Sequence, residues 1–254
     1  MPLLSIKDLT HYFGGLRAVS AFDLELEPGE LVGIIGPNGA GKTTVFNLIT
    51  GVYVPTAGQI GFNGQDLVRL PTHRIIAAGI ARTFQSIRLF KDLSVLDNVR
   101  VAHYAQVKYG PLAAFIRTKG FIEEENNIKE HSLELLRIFN LERYVHTLGK
   151  NLPYGEQRRL EIARALATRP RLLLLDEPAA GMNPGEIALL MELIQRIRQE
   201  FKLTIILIEH QMRVVMGICE RIKVLDFGET IAEGNPAEIQ NHPRVLEAYL
   251  GKEE

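Results

Sequence analysis

With a single cysteine, Cys219, among 254 residues, the chain cannot close an internal disulfide, and that scarcity fits a reducing compartment. Cys219 itself reads as a small residue on a helix face rather than a reactive thiol. Net charge is equally scarce. The 29 Lys and Arg residues against 30 Asp and Glu leave a formal charge of −1. No bulk attraction to nucleic acid is therefore expected, and no nucleic-acid partner is assigned. Long apolar runs are missing too. "RLLLLDE" and "LTIILIEH" fall far short of the ~18–20 residues that span a bilayer. The opening "MPLLSIKDLTHYFGG" brings charge and glycine too early for the apolar core of a secretory signal. Any membrane-spanning part of the work is thus expected from other chains. Internal repeats, low-complexity linkers and heptads long enough for a coiled coil are absent as well.

What is present suits a globular α/β protein. Hydrophobic residues make up 46% and charged residues 23%, an ordinary balance. "ELVGIIG", "RLLLLDE", "LTIILIEH" and "RIKVLDFG" are short, continuously apolar runs, the pattern of parallel strands covered on both faces. Between them lie helical periods. In "GEIALLMELIQRIRQEF", Ile187, Leu190, Met191, Ile194, Ile197 and Phe201 keep the spacing of one buried face. Alternation of strand and helix predicts a mostly parallel sheet core. The N-terminal pieces "LLSIKDLTHYF", "SAFDLELEPGE" and "GQIGFNGQDL" lack intervening helices and predict a small antiparallel β region. From about Ser86 to Asn151 the pattern turns helical. Ile128, Leu135, Leu136 and Phe139 share a face there, and the "EEE" run reads as solvated. The expected organisation is one domain over 1–254, with a core of 1–85 and 152–254 and an inserted helical subdomain over 86–151. The tail "GETIAEGNPAEIQNHPRVLEAYLG" reads as strand, turn and helix finishing the domain.

"GPNGAGKTT" matches G-x-x-x-x-G-K-[ST] at Gly36, Gly41, Lys42 and Thr43. It follows the apolar "LVGII" and precedes the helical "TTVFNLIT", the strand–loop–helix setting in which backbone amides cradle phosphates. The candidate nucleotide site is therefore Gly36, Pro37, Asn38, Gly39, Ala40, Gly41, Lys42, Thr43 and Thr44. Lys42 is expected on the outer phosphates and the Thr43 hydroxyl on Mg²⁺. The acidic partner is read from "LLLLDEP": Asp176 to hold Mg²⁺ through water, and Glu177 to polarise an attacking water. His210 ends the buried run "LTIILIEH", where strands of an open sheet deliver side chains to a ligand edge, and it can donate to a γ-phosphate. Gln85 in "RTFQSIRLF" is a further candidate to sense Mg²⁺ or water. A second turn, "NLPYGEQRRLEIARAL", contains Pro153 and Gly155 and opens an amphipathic helix, so it offers amides and a positive dipole end to another anion.

Taken in order, "GPNGAGKTT", Gln85, "LPYGE", "LLLLDE" and His210 give the chain a specific likeness. It resembles the nucleotide-binding subunit of ABC transporters over essentially its whole length, since "LPYGEQRRLEIARAL" aligns with a signature sequence that other P-loop proteins lack. The fold implied is a P-loop NTPase of ABC type, and the activity ATP hydrolysis, with ATP and Mg²⁺ as cofactors. Phe13, just before Gly14, is implied as the adenine-stacking residue, with Tyr12 as a weaker substitute. "YFGGLRAVS", "GIARTFQSIRLFKDLSVLDNV", "DEPAAGMNP", "IEHQMRVVMGI", the ending "EAYLG" and the insert "KYGPLAAFIRTKGFIEEE" look most like the branched-chain amino acid importer branch. Urea import and lipopolysaccharide export systems share much of this pattern and form the alternative.

The resemblance also implies why one chain carries two phosphate-reading turns. Two such subunits, identical or homologous, pair head to tail, and each second turn faces the ATP held by the other. Leu152, Pro153, Tyr154, Gly155 and Glu156 would then act in trans. Leu152 and Gly155 match the usual L-S-G-G-Q, while Pro153, Tyr154 and Glu156 depart from it. Proline supplies neither hydroxyl nor N–H, so weaker capping is expected, and, if the partner is a homologous second ATPase chain, a slower site under this turn; the alternative is that Pro153 only fixes the approach to the helix start. Asn183 stands where the family often has aspartate. The implied partners are a second nucleotide-binding subunit, integral membrane permeases and, indirectly, an extracytoplasmic solute-binding protein. The implied location is peripheral, on the cytoplasmic face of the inner or plasma membrane. "SIRLFKDLSV" is the docking surface expected for the permeases. A soluble phosphotransferase would explain Lys42 and Asp176 but not the second turn or His210. A DNA- or ribosome-directed ABC ATPase would bring coiled coils or tandem cassettes. A binding-only subunit conflicts with intact Lys42, Asp176, Glu177 and His210.

Overall fold

A computed structural model describes residues 1–104, 107 and 109–250. Lys108 of the insert and Gly251 of "EAYLG" lie outside the described residues. The chain forms two compact units, Met1–Arg82 with Arg171–Glu254, and Thr83–Pro170. The first begins with β1 (Leu4–Phe13), β2 (Leu16–Leu26), β3 (Leu31–Ile35), α1 (Lys42–Ile49), β4 (Ala57–Phe62), β5 (Gln65–Asp66), α2 (Thr72–Ala77) and β6 (Ile80–Arg82). The second holds α3 (Val95–His103), α4 (Pro111–Phe115), α5 (Lys119–Ile138) and α6 (Tyr154–Leu166). The first resumes with β7 (Leu172–Asp176), α7 (Pro184–Glu200), β8 (Thr204–Ile208), α8 (Met212–Ile218), β9 (Arg221–Asp226), β10 (Glu229–Gly234), α9 (Pro236–Gln240) and α10 (Pro243–Leu250).

In the first unit a four-stranded antiparallel sheet runs β2-β1-β4-β5, from the N-terminal pieces that lack helices between them. A six-stranded sheet runs β10-β9-β3-β8-β7-β6, parallel except for β10. Every residue of β3, β7 and β8 is buried, as strands with apolar cover on both faces require. Helices α1 and α7 turn Val45, Phe46, Leu48 and Ile49, and Ile187, Leu190, Ile194 and Ile197, to the interior. Phe201 departs from the predicted face. It caps the end of α7 and is 37% exposed, because the helical period no longer fixes its direction there. β6 was not legible as a strand. Its three residues follow Gly79, whose φ of 106° demands glycine, and add an edge to β7. Cys219 is buried, and burial pushes its thiol up to about 12, so no thiolate forms near neutral pH.

Register decides where the chemistry falls. Ile34 pairs with Ile208, and Ile208 pairs with Asp176, so the ends of β3, β8 and β7 lie in one row. The loop after β3, Glu177 and His210 therefore leave the sheet at the same carboxyl edge, the ligand edge of parallel α/β sheets.

In the second unit Ile128, Leu135, Leu136 and Phe139 are buried as the period predicts. The unit takes in the turn at Pro153 and all of α6, which packs on α3 and α5, whereas the expected insert stopped at residue 151. The "EEE" run is not uniformly solvated. Glu125 accepts from Arg100 at 2.8 Å, Tyr104 at 3.1 Å and Tyr109 at 2.6 Å, because α5 turns that position toward α3.

Candidate functional site

The loop between β3 and α1 is shaped by contacts that only glycine permits. A Cβ on Gly36 would lie 2.0 Å from the Leu225 carbonyl oxygen, and one on Gly41 2.4 Å from that of Ala18. Gly41 caps α1 with φ 102° and no side-chain bond, and an uncapped helix start is a ready anion site. Lys42 folds back into the loop. Its Nζ donates to the Gly36 and Pro37 carbonyls, each at 2.8 Å. Burial lowers the Lys42 pKa, while the charges of Glu177 and Asp176 pull it back up. Thr43 and Thr44 follow in the first turn of α1, with Asn38 and Gly39 exposed and Ala40 buried.

Asp176 ends β7, 2% exposed, and its Oδ2 accepts from Arg82 Nη2 at 2.8 Å. Arg82 also reaches Asn47 Oδ1 of α1 at 2.6 Å and lies over the Phe46 ring at 5.4 Å. Sequence reasoning missed Arg82. Its only signal is a cation at the end of a strand that pairs with the Asp176 strand. Glu177 has φ 47°, a left-handed conformation that costs a non-glycine residue about 1–3 kcal/mol. Its amide donates to the Ile208 carbonyl at 2.8 Å, and its Oε1 lies 2.5 Å from His210 Nε2. A carboxylate paired with an imidazole, beside a lysine held in a phosphate loop, can take a proton from water and hold charge on a phosphoryl oxygen. Oxygen donors at Thr43 and Asp176 suit a hard divalent cation such as Mg²⁺. Among the described residues no group of three or more His, Cys, Asp or Glu side chains forms a metal cluster. Mg²⁺ needs none, since it binds through one or two protein ligands plus substrate phosphates.

Phe13 is 44% exposed and packs edge-on against His11, with centroids 4.7 Å apart, and Tyr53, at 5.2 Å. Such a supported, half-open ring can stack a base. Tyr12, its neighbour on the strand, has no part in that cluster. Phe13, the loop 36–44, Asp176, Glu177 and His210 all belong to the first unit. Gln85 and the turn Leu152–Glu156 belong to the second unit. There the fully buried Arg158 donates to the Phe84 carbonyl at 2.7 Å, the Gln85 carbonyl at 2.8 Å and Glu161 at 2.8 Å. Pro153 is the N-cap of α6 and makes no side-chain bond. Leu152 is buried, Tyr154 is 45% exposed, and Glu156 pairs with Arg143 and Arg159, each at 3.5 Å. Asn183 caps α7 through a reciprocal box with Glu186.

A family model described as ABC transporter matches residues 19–180, more than half of the chain. The chain belongs to the ABC transporter family. A second model, described as branched-chain amino acid ATP-binding cassette transporter, matches residues 229–254 of this ABC ATPase. It is 47% identical over 251 residues to the high-affinity branched-chain amino acid transport ATP-binding protein LivG of Escherichia coli strain K12, and 45% identical to BraF of Pseudomonas aeruginosa, which carries the same description. Each alignment covers 99% of this chain and 98% of the relative. The lipopolysaccharide export system ATP-binding protein LptB of Escherichia coli strain K12 is 34% identical, covering 100% and 99%. Among solved structures, the ADP conformation of MJ1267, an ATP-binding cassette of an ABC transporter, superposes with a TM-score of 0.85 at 28% identity, covering 99% of this chain and 100% of that one. The dimeric post-hydrolysis state of the cassette MJ0796 with ADP and Pi gives 0.77 at 26% identity, covering 92% and 98%. The ABC ATPase described above is therefore an α/β P-loop ATPase most like the branched-chain branch.

Proposed function

We propose that this ABC ATPase powers uptake of branched-chain amino acids, working peripherally on the cytoplasmic face of the membrane. The observation that carries the reading is the Glu177–His210 pair at the same sheet edge as the Lys42 loop, in a chain whose relatives transport these solutes. The lower identity to LptB weighs against the export alternative. No helix among the described residues is long and apolar enough to cross a membrane. In this reading permease subunits supply the passage. An extracytoplasmic solute-binding protein delivers the solute to them.

In this reading Phe13 stacks the adenine, while loop amides and Lys42 bind the phosphates. Thr43 and Asp176 would hold Mg²⁺, which when bound would neutralise phosphate charge. Glu177 takes the proton of the attacking water, and His210 orients Glu177 and donates toward the γ-phosphate. A second nucleotide-binding subunit, identical or homologous, presents its own turn across the nucleotide. In this chain that turn is Leu152–Glu156, acting through the amides at the start of α6. The segment Ser86–Val95 receives the permeases. Phe90 and Leu93 are exposed there, while buried Asn98 pins the backbone by accepting from the Phe90 amide and donating to the Phe90, Leu93 and Ser94 carbonyls at 2.9–3.3 Å. An apolar surface on a pinned loop can transmit force without yielding.

Cells without this chain are expected to lose ATP-dependent uptake of leucine, isoleucine and valine and to regain it with the wild-type gene. Unchanged uptake of all three would refute the solute assignment. A second expectation concerns Pro153→Ser. Serine restores a hydroxyl and an N–H and should cap α6, worth about 0.5–2 kcal/mol. Phosphate release by the assembled transporter is expected to rise. A stabilised α6 with an unchanged rate would reduce Pro153 to a helix-start residue.

A further inference from the structure

The paired side chains of Glu177 and His210 stand on two separate turns, and a third acid joins those turns. Glu209 follows β8 and is 2% exposed. The Ala179 amide donates to its Oε1 at 2.7 Å, and the His210 and Gln211 amides donate to its Oε2 at 3.0 and 3.3 Å. Gln211 returns a bond, its Nε2 donating to the Ala179 carbonyl at 3.1 Å. Ala179 lies in the turn that begins at Glu177, where the Ala180 amide donates to the Glu177 carbonyl at 3.2 Å. Burial, with the nearby charge of Glu177, raises the Glu209 pKa against the three amide bonds. A carboxyl group is costly to bury beside another acid, and five buried residues of β8 precede it without needing one. What the position gains is an acceptor with two oxygens, one for each turn.

We infer that Glu209 is a positioning residue for ATP hydrolysis, clamping the Glu177 turn to the His210 turn so that carboxylate and imidazole stay in register. The inference rests on the roles proposed for Glu177 and His210. Glutamine at 209 keeps the shape but replaces one acceptor oxygen by an NH₂ that meets an N–H donor, so one half of the clamp opens. Aspartate keeps both oxygens on a shorter arm.

The test uses full-length wild type, Glu209→Gln, Glu209→Asp and Glu177→Gln, with four readouts: ATP affinity, kcat and KM, melting temperature, and the NMR signals of the His210 ring. For Glu209→Gln, kcat is expected to fall about 10–100-fold, the cost of a misplacement on the order of an ångström, at unchanged KM and ATP affinity. The His210 ring signals should shift, and Glu209→Asp should recover part of the rate. Unchanged kcat, unchanged His210 signals, or a parallel loss of ATP affinity and melting temperature in both Glu209 variants would overturn the clamp. Wild-type hydrolysis by Glu177→Gln would instead overturn the underlying assignment of the base.

Discussion

Replacing Glu177 by glutamine is expected to leave ATP affinity within about twofold of wild type and to cut hydrolysis about 10²–10⁴-fold, the usual range for losing a general base. The geometry makes the two effects separable. Phosphate binding is assigned to the 36–44 loop and Lys42, whose ammonium is held by the Gly36 and Pro37 carbonyls rather than by Glu177. Glutamine preserves the length of the side chain and keeps one oxygen that can accept from His210, so the pair loses basicity more than shape. With hydrolysis slow, the ATP-bound pair of subunits should persist, visible as a dimer in size-exclusion chromatography with ATP and as a monomer after ADP exchange. Steady turnover by the variant at even a tenth of the normal rate would remove Glu177 from the role of base.

The second large effect is expected from Arg158→Ala, which should destabilise the helical unit by about 3–5 kcal/mol, the cost of breaking a buried ion pair. Arg158 and Glu161 are 0% and 1% exposed as side chains and 2.8 Å apart. Removing the guanidinium strands the Glu161 carboxylate and leaves the Phe84 and Gln85 carbonyls without that donor. Glu161 in turn accepts from the Phe84 and Arg88 amides at 3.4 and 3.3 Å, so the whole segment ahead of the exposed Phe90 loses its anchor. Transport should suffer more than ATP binding. Arg158→Met with Glu161→Leu should recover part of the stability, because apolar packing replaces the pair, but not all, because the bonds from Arg158 to the Phe84 and Gln85 carbonyls stay lost. Denaturant midpoints of the two variants decide the matter, and a loss below about 1 kcal/mol for Arg158→Ala would mean that the pair is dispensable.

These two residues mark the boundary between what was legible and what was not. Glu177 stands after a short, continuous apolar run bounded by charge, the pattern of a covered strand, so the end of the strand and its acid were readable. Arg158 and Glu161, three residues apart in "RRLEIARAL", look like an ordinary surface pair on a helix. Their burial depends on carbonyls and amides more than seventy positions away. Arg82, Asn47 and Asp176 form a similar case, as does Glu209, which in sequence is merely the residue before a histidine. Phe201 shows the converse error, a residue in phase with its helix but beyond the point where the helix still faces the core.

The sequence by itself determined the strand–loop–helix that can cradle phosphate, the acid pair and histidine that follow apolar strands, and the turn opening α6, because these depend on local periodicity and on residue types a few positions apart. Only the tertiary structure decided that Ile34, Ile208 and Asp176 share one row, that Glu177 meets His210, and that Arg158 and Glu209 are buried with hydrogen-bond partners. The physical reason is that a polar side chain's environment is set by its partners, and those partners come from distant parts of the chain that only the folded sheet and helices bring within hydrogen-bond reach.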